Sequence, residues 1–124
     1  MRVLVVDDTL SARLFIVSLL HKLGISDVVQ AENGSQALTI LRGDKKFDVI
    51  FMDWKMPVMT GPEAISVLRY QGNRIPIVMT TSRNSTVDVE KVFKLGVAEY
   101  LLKPFDIHFL INKIHRVTGK ELTY

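Results

Sequence analysis

Two apolar patterns take turns along the chain. Short unbroken apolar runs, which read as strands buried on both faces, alternate with stretches where apolar residues recur at helical spacing. Val3 to Val6 is the first run. Ser11 to Leu23 follows as a helix, with Ala12, Ile16, Leu19, Leu20 and Leu23 as its buried stripe and Gly24 as its C-terminal cap. Val28 to Ala31 is a short second strand. Glu32-Asn33-Gly34 is a turn signal. Ser35 to Arg42 is a helix with Ala37, Leu38 and Leu41 inward, closed by Gly43. Phe47 to Met52 is the third strand. Pro62 suits the first turn of a helix running to Tyr70, with Ala64, Ile65 and Leu68 inward, and Gly72-Asn73 breaks it. Ile75 to Thr80 is the fourth strand. Ser85 to Leu95 is a helix whose apolar side is Val89, Val92 and Phe93, capped by Gly96. Val97 to Leu102 is the fifth strand, broken by Lys103-Pro104. Asp106 caps a last helix with the stripe Ile107, Leu110, Ile111 and Ile114.

Strands and helices that alternate with short connections imply an α/β fold: a five-stranded parallel sheet with five helices on both faces. Right-handed crossovers leave few topologies, and the flavodoxin-like order 2-1-3-4-5 is the expected one. There are no repeats, low-complexity tracts or domain boundaries, so residues 1–124 are expected to form one domain with no output domain. Composition changes this picture little. At 48% hydrophobic and 23% charged the chain is ordinary for a globular protein. Cys is absent, which excludes disulfide and thiolate chemistry. No signal peptide follows Met1-Arg2, and no apolar run reaches membrane-spanning length, so a cytoplasmic location without membrane insertion is expected. A net charge of +3 without an Arg/Lys stripe argues against direct nucleic-acid binding.

The unusual polar residues stand where strands end. The first run ends at Asp7-Asp8, the third at Asp53, the fourth at Thr80-Thr81-Ser82 and the fifth at Lys103. In a parallel sheet those ends share one edge, where open α/β sheets place their ligand crevice. Three adjacent carboxylates repel one another unless a cation is present. An all-oxygen site with few ligands suits Mg²⁺. Lys103 adds a positive charge without metal-ligand capacity and suits an anion such as a phosphoryl group. Asp53 can act as a nucleophile and form an aspartyl-phosphate. Taken singly, each residue also has an ordinary reading: Asp7-Asp8 as a helix cap, Asp53 and Lys103-Pro104 as turn residues, the Thr pair as strand ends. Their convergence on one edge favours the chemical reading. No glycine-rich phosphate loop follows the first strand, which disfavours nucleotide or flavin binding. His21, His108 and His115 are scattered and do not form a metal site.

The segments Val3-Leu4-Val5-Val6-Asp7-Asp8, Met52-Asp53-Trp54-Lys55-Met56-Pro57 with Gly61, Pro76-Ile77-Val78-Met79-Thr80-Thr81 and Tyr100-Leu101-Leu102-Lys103-Pro104-Phe105 resemble the response-regulator receiver domain of two-component signalling, the family of the single-domain chemotaxis regulators. The resemblance spans about Arg2 to Val117. It implies that Asp53 is the phosphoacceptor. It further implies that Asp7, Asp8, Asp53 and the main-chain carbonyl of Lys55 hold Mg²⁺, that Lys103 contacts the phosphoryl group, and that the Lys103-Pro104 bond is cis. Thr81, not Thr80, would be the switch hydroxyl and Tyr100 the switch aromatic, rotating inward once Asp53 is modified. Ser82 stands where the family most often has Ala. Lys55 and Arg83 occupy the variable positions that tune aspartyl-phosphate lifetime.

The implied function is a phosphoacceptor signalling domain, not an enzyme acting on other substrates. The donor would be a histidine kinase or histidine phosphotransfer protein, docked on the first helix at Leu14 and Val17, beside Ser18 and His21. Phosphorylation would switch the face of the fourth helix, fifth strand and fifth helix toward a downstream protein target, with Phe105 and Phe109 near that face. A monomer or a weak phosphorylation-dependent dimer is expected. The alternative is a Mg²⁺-dependent phosphatase acting through an aspartyl-phosphate. That would want a second Asp two residues after the nucleophile, where this chain has Lys55. A partner-binding domain without phosphoryl chemistry is the third reading, and the retained Asp7, Asp8, Asp53, Thr81 and Lys103 argue against it.

Overall fold

A computed structural model describes residues 1–43 and 46–124. The elements in chain order are β1 (Arg2–Val6), α1 (Leu10–Lys22), β2 (Asp27–Ala31), α2 (Gly34–Gly43), β3 (Val49–Asp53), α3 (Gly61–Tyr70), β4 (Ile77–Thr81), α4 (Thr86–Leu95), β5 (Glu99–Leu102) and α5 (Ile107–Thr118). The five strands form one parallel sheet in the order β2-β1-β3-β4-β5. The expected fold class and strand order are both present.

The sheet explains the unbroken apolar runs. Successive strand residues point to opposite faces, and helices cover both. Leu4, Ile50 and Ile77 lie side by side in register and pack with Ala37, Leu38, Leu41, Ala64, Ile65, Leu68 and Val92 of α2, α3 and α4. On the other face Val5, Phe51 and Val78 are in register and pack with Ile16 and Leu20 of α1 and Leu110 and Ile114 of α5. Truncating a large residue of either layer to Ala would cost about 2–5 kcal/mol.

Side chains set the helix boundaries. Thr60 and Glu63 form a reciprocal capping box at the start of α3. Ser85 accepts from the Asp88 amide to open α4, and Asp106 accepts from the His108 and Phe109 amides to open α5. Gly96 and Gly119 close α4 and α5 in the left-handed conformation. Among the described residues, no helix is long and apolar enough to cross a membrane.

Several expectations need correction. Val17, expected on an open docking face, is 8% exposed and packs under α1 with Ile16 and Leu20. Phe93 was expected inward and is exposed; Val92 alone is buried on α4. On α4 the buried side is limited to Val92, and Phe93, one residue and about 100° further round the helix, falls on the exposed side. Phe105, expected near the output face, is buried in the α1–α5 layer, its ring 5.8 Å from that of Phe15. Phe47 lies before β3, buried under the guanidinium of Arg2 at 4.6 Å. Phe109 is exposed, as expected from its place off the α5 stripe.

Candidate functional site

Every strand that contributes chemistry does so at its carboxyl end. The Asp7 amide still donates to the Ala31 carbonyl at 3.1 Å, so the residue is fixed to the sheet after β1 ends. Its carboxylate is buried. One oxygen accepts from the Thr9 amide at 2.9 Å and the other from Lys103 Nζ at 3.0 Å. Asp53 is the last residue of β3 and accepts from the same ammonium at 3.2 Å. Asp8 is exposed and, among the described residues, takes no hydrogen bond. It does not cap α1: the cap is Thr9, whose side chain makes no capping bond. Asp7, Asp8 and Asp53 each offer a carboxylate oxygen within 4.8 Å of the others. Lys103 is held in place by its amide, which donates to the Thr81 carbonyl at 2.8 Å, and by a cis bond to Pro104.

The electrostatics follow from burial and like charge. Burial raises the Asp53 pKa, the Asp7 charge raises it further, and Lys103 offsets part of this. For Lys103, burial disfavours the ammonium, yet its hydrogen bond to Asp7 and the charges of Asp53 and Asp7 prevail and its pKa is raised. One fixed cation thus faces an excess of carboxylate. The donors are all oxygen, and the exposed Asp8 leaves the cluster open to solvent. That set fits a hard, partly hydrated divalent cation, to which Lys103 could offer no ligand.

The surrounding residues position this cluster. Arg13 is buried beneath it, donating to the Asp7 carbonyl at 2.7 Å and to Gln30 Oε1 at 2.9 Å. Sequence reasoning missed Arg13, although its place on the same face of α1 as Ile16 and Leu20 was a signal. Gly61 donates to the Trp54 carbonyl at 2.9 Å, and a Cβ there would overlap the Asp53 carbonyl oxygen. Only glycine permits that approach. Between them the chain makes a tight turn, with the Met59 amide donating to the Pro57 carbonyl at 2.7 Å and Val58 at a φ of 69°.

Thr81 and Tyr100 occupy the side toward α4. Thr81 is buried and its hydroxyl accepts from the Arg83 amide at 3.1 Å. The Tyr100 hydroxyl donates to the Arg83 carbonyl, and the residue is half-buried. Burial raises the Tyr100 pKa, while a hydrogen bond with the Thr81 side chain opposes the rise. The Arg83 guanidinium lies 5.1 Å from the Trp54 ring centre and 3.5 Å from the Asp88 carboxylate. Thr80 is in register with Asp53, and its buried hydroxyl has no partner among the described residues. Lys55 is exposed. On α1, Leu14 is 46% exposed and stands with the exposed Leu10 and Phe15, two neighbours sequence reasoning did not include.

Comparison with known proteins gives one answer. The model of the response regulator receiver domain matches residues 3–115. The chain is 36% identical over 121 residues to the chemotaxis protein CheY homolog of Campylobacter jejuni, covering 96% of this chain and 93% of that protein. It is 36% identical to chemotaxis protein CheY1 of Helicobacter pylori, covering 96% of this chain and 98% of that one. Among solved structures, chemotaxis protein CheY4 of Vibrio cholerae superposes with a TM-score of 0.85 at 35% identity, covering 94% and 97% of the two chains. The receiver domain of the Pseudomonas aeruginosa sensor histidine kinase PA1611 gives a TM-score of 0.86 at 30% identity, covering 96% and 98%; it has a magnesium ion coordinated in its active site cleft. Motifs, strand order, the carboxyl-edge cluster and these relatives agree, and the chain belongs to the response regulator receiver domain family, with CheY-type chemotaxis proteins among its relatives.

Proposed function

We propose that Asp53 accepts a phosphoryl group from the phosphohistidine of a histidine kinase or histidine phosphotransfer protein. The observation that carries this reading is the Lys103 ammonium held between Asp7 and Asp53 at 3.0 and 3.2 Å. A cation fixed there stands ready for the anionic oxygens of a group delivered to Asp53. An Asp53 oxygen attacks phosphorus, the new O–P bond forms, and the histidine N–P bond breaks with its electron pair returning to the imidazole. Lys103 exchanges its bond to Asp53 for one to a phosphoryl oxygen. Asp7, Asp8, Asp53 and the main-chain carbonyl of Lys55 would hold Mg²⁺, which when bound neutralises charge on the phosphoryl oxygens. The chain assists only its own phosphorylation and dephosphorylation and acts on no external substrate.

The switch follows from the contacts of Arg83. Its amide holds the Thr81 hydroxyl and its carbonyl holds the Tyr100 hydroxyl. Drawing the Thr81 hydroxyl toward a phosphoryl group breaks the first bond and moves the loop that carries the second. This shifts populations on the α4–β5–α5 face, where Phe93, Leu102 and Phe109 are exposed for a downstream protein. The kinase docks on the exposed strip of α1, Leu10 and Leu14 with Phe15, while the buried Val17 supports it from below.

Intact-mass measurement after incubation with acetyl phosphate and Mg²⁺ tests the reading. One added phosphoryl group, dependent on Mg²⁺ and missing in Asp53→Asn, is expected; equal labelling of both proteins would overturn the assignment. Leu14→Asp is expected to slow transfer from a phosphorylated kinase while leaving the acetyl phosphate reaction unchanged. Equal slowing of both would remove α1 as the docking face.

A further inference from the structure

The amino edge of the sheet, opposite Asp53, carries a second charged feature. Arg69 from α3, Arg74 from the loop before β4 and Arg116 from α5 line a groove of about 530 Å³ whose floor is Leu95, Ala98 and Val117. Arg69 is fixed: its guanidinium donates to the carbonyls of Gly96, Asn73 and Ile75. Arg74 is exposed and, among the described residues, forms no hydrogen bond or ion pair. Arg116 reaches Glu99 only at 3.4 Å, and that carboxylate is held more closely by Lys113 at 2.7 Å. Among the described residues, no carboxylate lines the groove. Burial first, and then the charge of Arg74, hold the Arg69 pKa below its ordinary value, as expected for two neighbouring guanidiniums.

We propose that this groove docks an acidic peptide segment of a partner protein, with an apolar side chain on Leu95, Ala98 and Val117 and flanking carboxylates on Arg74 and Arg116. Charge complementarity selects the acid, because exposed guanidiniums match carboxylates in bidentate geometry, and Arg116 is engaged only by its 3.4 Å contact with Glu99. The apolar floor selects a peptide over a bare anion, which would leave it wet. No aromatic side chain lines the groove to stack a base, which disfavours single-stranded nucleic acid. The site lies at the far end of the strands from Asp53 and does not depend on phosphoryl chemistry.

Fluorescence anisotropy of the full chain tests the proposal. The probes are a labelled peptide of alternating glutamate and leucine, the same peptide with serine for leucine, and a labelled single-stranded oligonucleotide. The acidic-apolar peptide is expected to bind, more tightly at low salt, and to weaken about tenfold in the double variant Arg74→Glu, Arg116→Glu. The serine peptide is expected to bind more weakly than the leucine one, and Asp53→Asn to bind as the unsubstituted chain does. If the charge-reversed variant fails to fold by circular dichroism, Arg74→Gln with Arg116→Gln takes its place, both residues being exposed. No peptide binding, equal binding by unsubstituted and double-variant chains, or preference for the oligonucleotide would each overturn the proposal. Because the readout is binding and not phosphoryl transfer, its failure leaves the Asp53 reading untouched.

Discussion

The two ends of the sheet solve opposite electrostatic problems. At the carboxyl edge, three carboxylates crowd within 4.8 Å around the single Lys103 ammonium. At the amino edge, Arg69, Arg74 and Arg116 line a groove that, among the described residues, no carboxylate lines. The layers between are the same apolar strands packed on helices, so the difference lies in what the backbone does after each strand. Where strands end together, Asp7, Asp53 and Lys103 are carried into one small space by backbone that remains tethered, through the Asp7 amide to Ala31 and the Lys103 amide to Thr81. At the amino edge the charges arrive on helix ends and loops, and Arg74 and Arg116 stay in solvent. Rigid convergence at one edge suits bond making; an open charged rim at the other suits weak, reversible contact.

The comparison is broken most severely at Lys103. Lys103→Met keeps the length of the side chain and removes its charge. The rate of Asp53 phosphorylation by acetyl phosphate is expected to fall about 100-fold, the scale of losing one preorganised donor at developing negative charge. The time course of intact mass reads this directly. An unchanged rate would mean that Lys103 serves only to neutralise the carboxylates.

Asp53 itself carries a pH signature. A carboxyl whose pKa is raised on folding binds its proton more tightly in the folded chain than in the unfolded one, so ionising it works against folding. The destabilisation is complete above the folded pKa and fades as pH falls toward the ordinary carboxylate range. Asp53→Asn should therefore unfold at higher denaturant concentration than the unsubstituted chain at pH 7, with the gap closing as the pH is lowered. A gap that is constant across pH would place its origin outside this titration.

These residues also show what sequence can and cannot convey. Unbroken runs such as Val49 to Met52 announced a doubly covered parallel sheet, because such a strand has no solvent face to mark with polar residues. The strand-end positions of Asp7, Asp53 and Lys103 then followed from topology alone. What failed was rotation within helices. Val17 and Phe93 were placed on the wrong side, since a short apolar stripe leaves the helix face uncertain by about one residue's turn. Arg13 went unnoticed because its partners, the Asp7 carbonyl after β1 and Gln30 on β2, lie outside its helix, and such hydrogen bonds leave no helical pattern. The arginine groove was illegible for a similar reason: Arg69, Arg74 and Arg116 meet only after the chain has folded.

Thr80 sharpens the contrast at smaller scale. It sits beside Asp53 in the β3–β4 register, fully buried, with a hydroxyl that has no partner among the described residues. Thr80→Val keeps the shape and removes the buried polar group, so it should stabilise the fold by about 1 kcal/mol in urea unfolding. The neighbouring Thr81→Val should not, because the Thr81 hydroxyl accepts from the Arg83 amide, and its loss leaves that donor unpaired. A destabilised Thr80→Val would show that the hydroxyl is engaged after all.

The smallest expected effect tests whether the carboxyl edge is held under strain. Val58 lies in the turn between Asp53 and Gly61 with a φ of 69°, a left-handed conformation that a β-branched side chain adopts at a cost of about 1–2 kcal/mol. Its side chain is exposed and contributes little burial in return. Glycine adopts the conformation freely but loses more entropy on folding, about 0.5–1 kcal/mol. The net expectation for Val58→Gly is a gain of about 0.5–1 kcal/mol, read from the urea midpoint at unchanged slope. The neighbours restrain this turn from both sides: Gly61 abuts the Asp53 carbonyl, and the Met59 carbonyl accepts from the Gly34 amide. Arg74→Gln at the opposite edge, on an exposed and unpaired side chain, should leave the midpoint unchanged. Gains at Val58 and Thr80 together with silence at Arg74 would locate the strain at the edge that holds the carboxylates. A loss at Val58 would mean that the turn is stabilised by contacts of the valine itself.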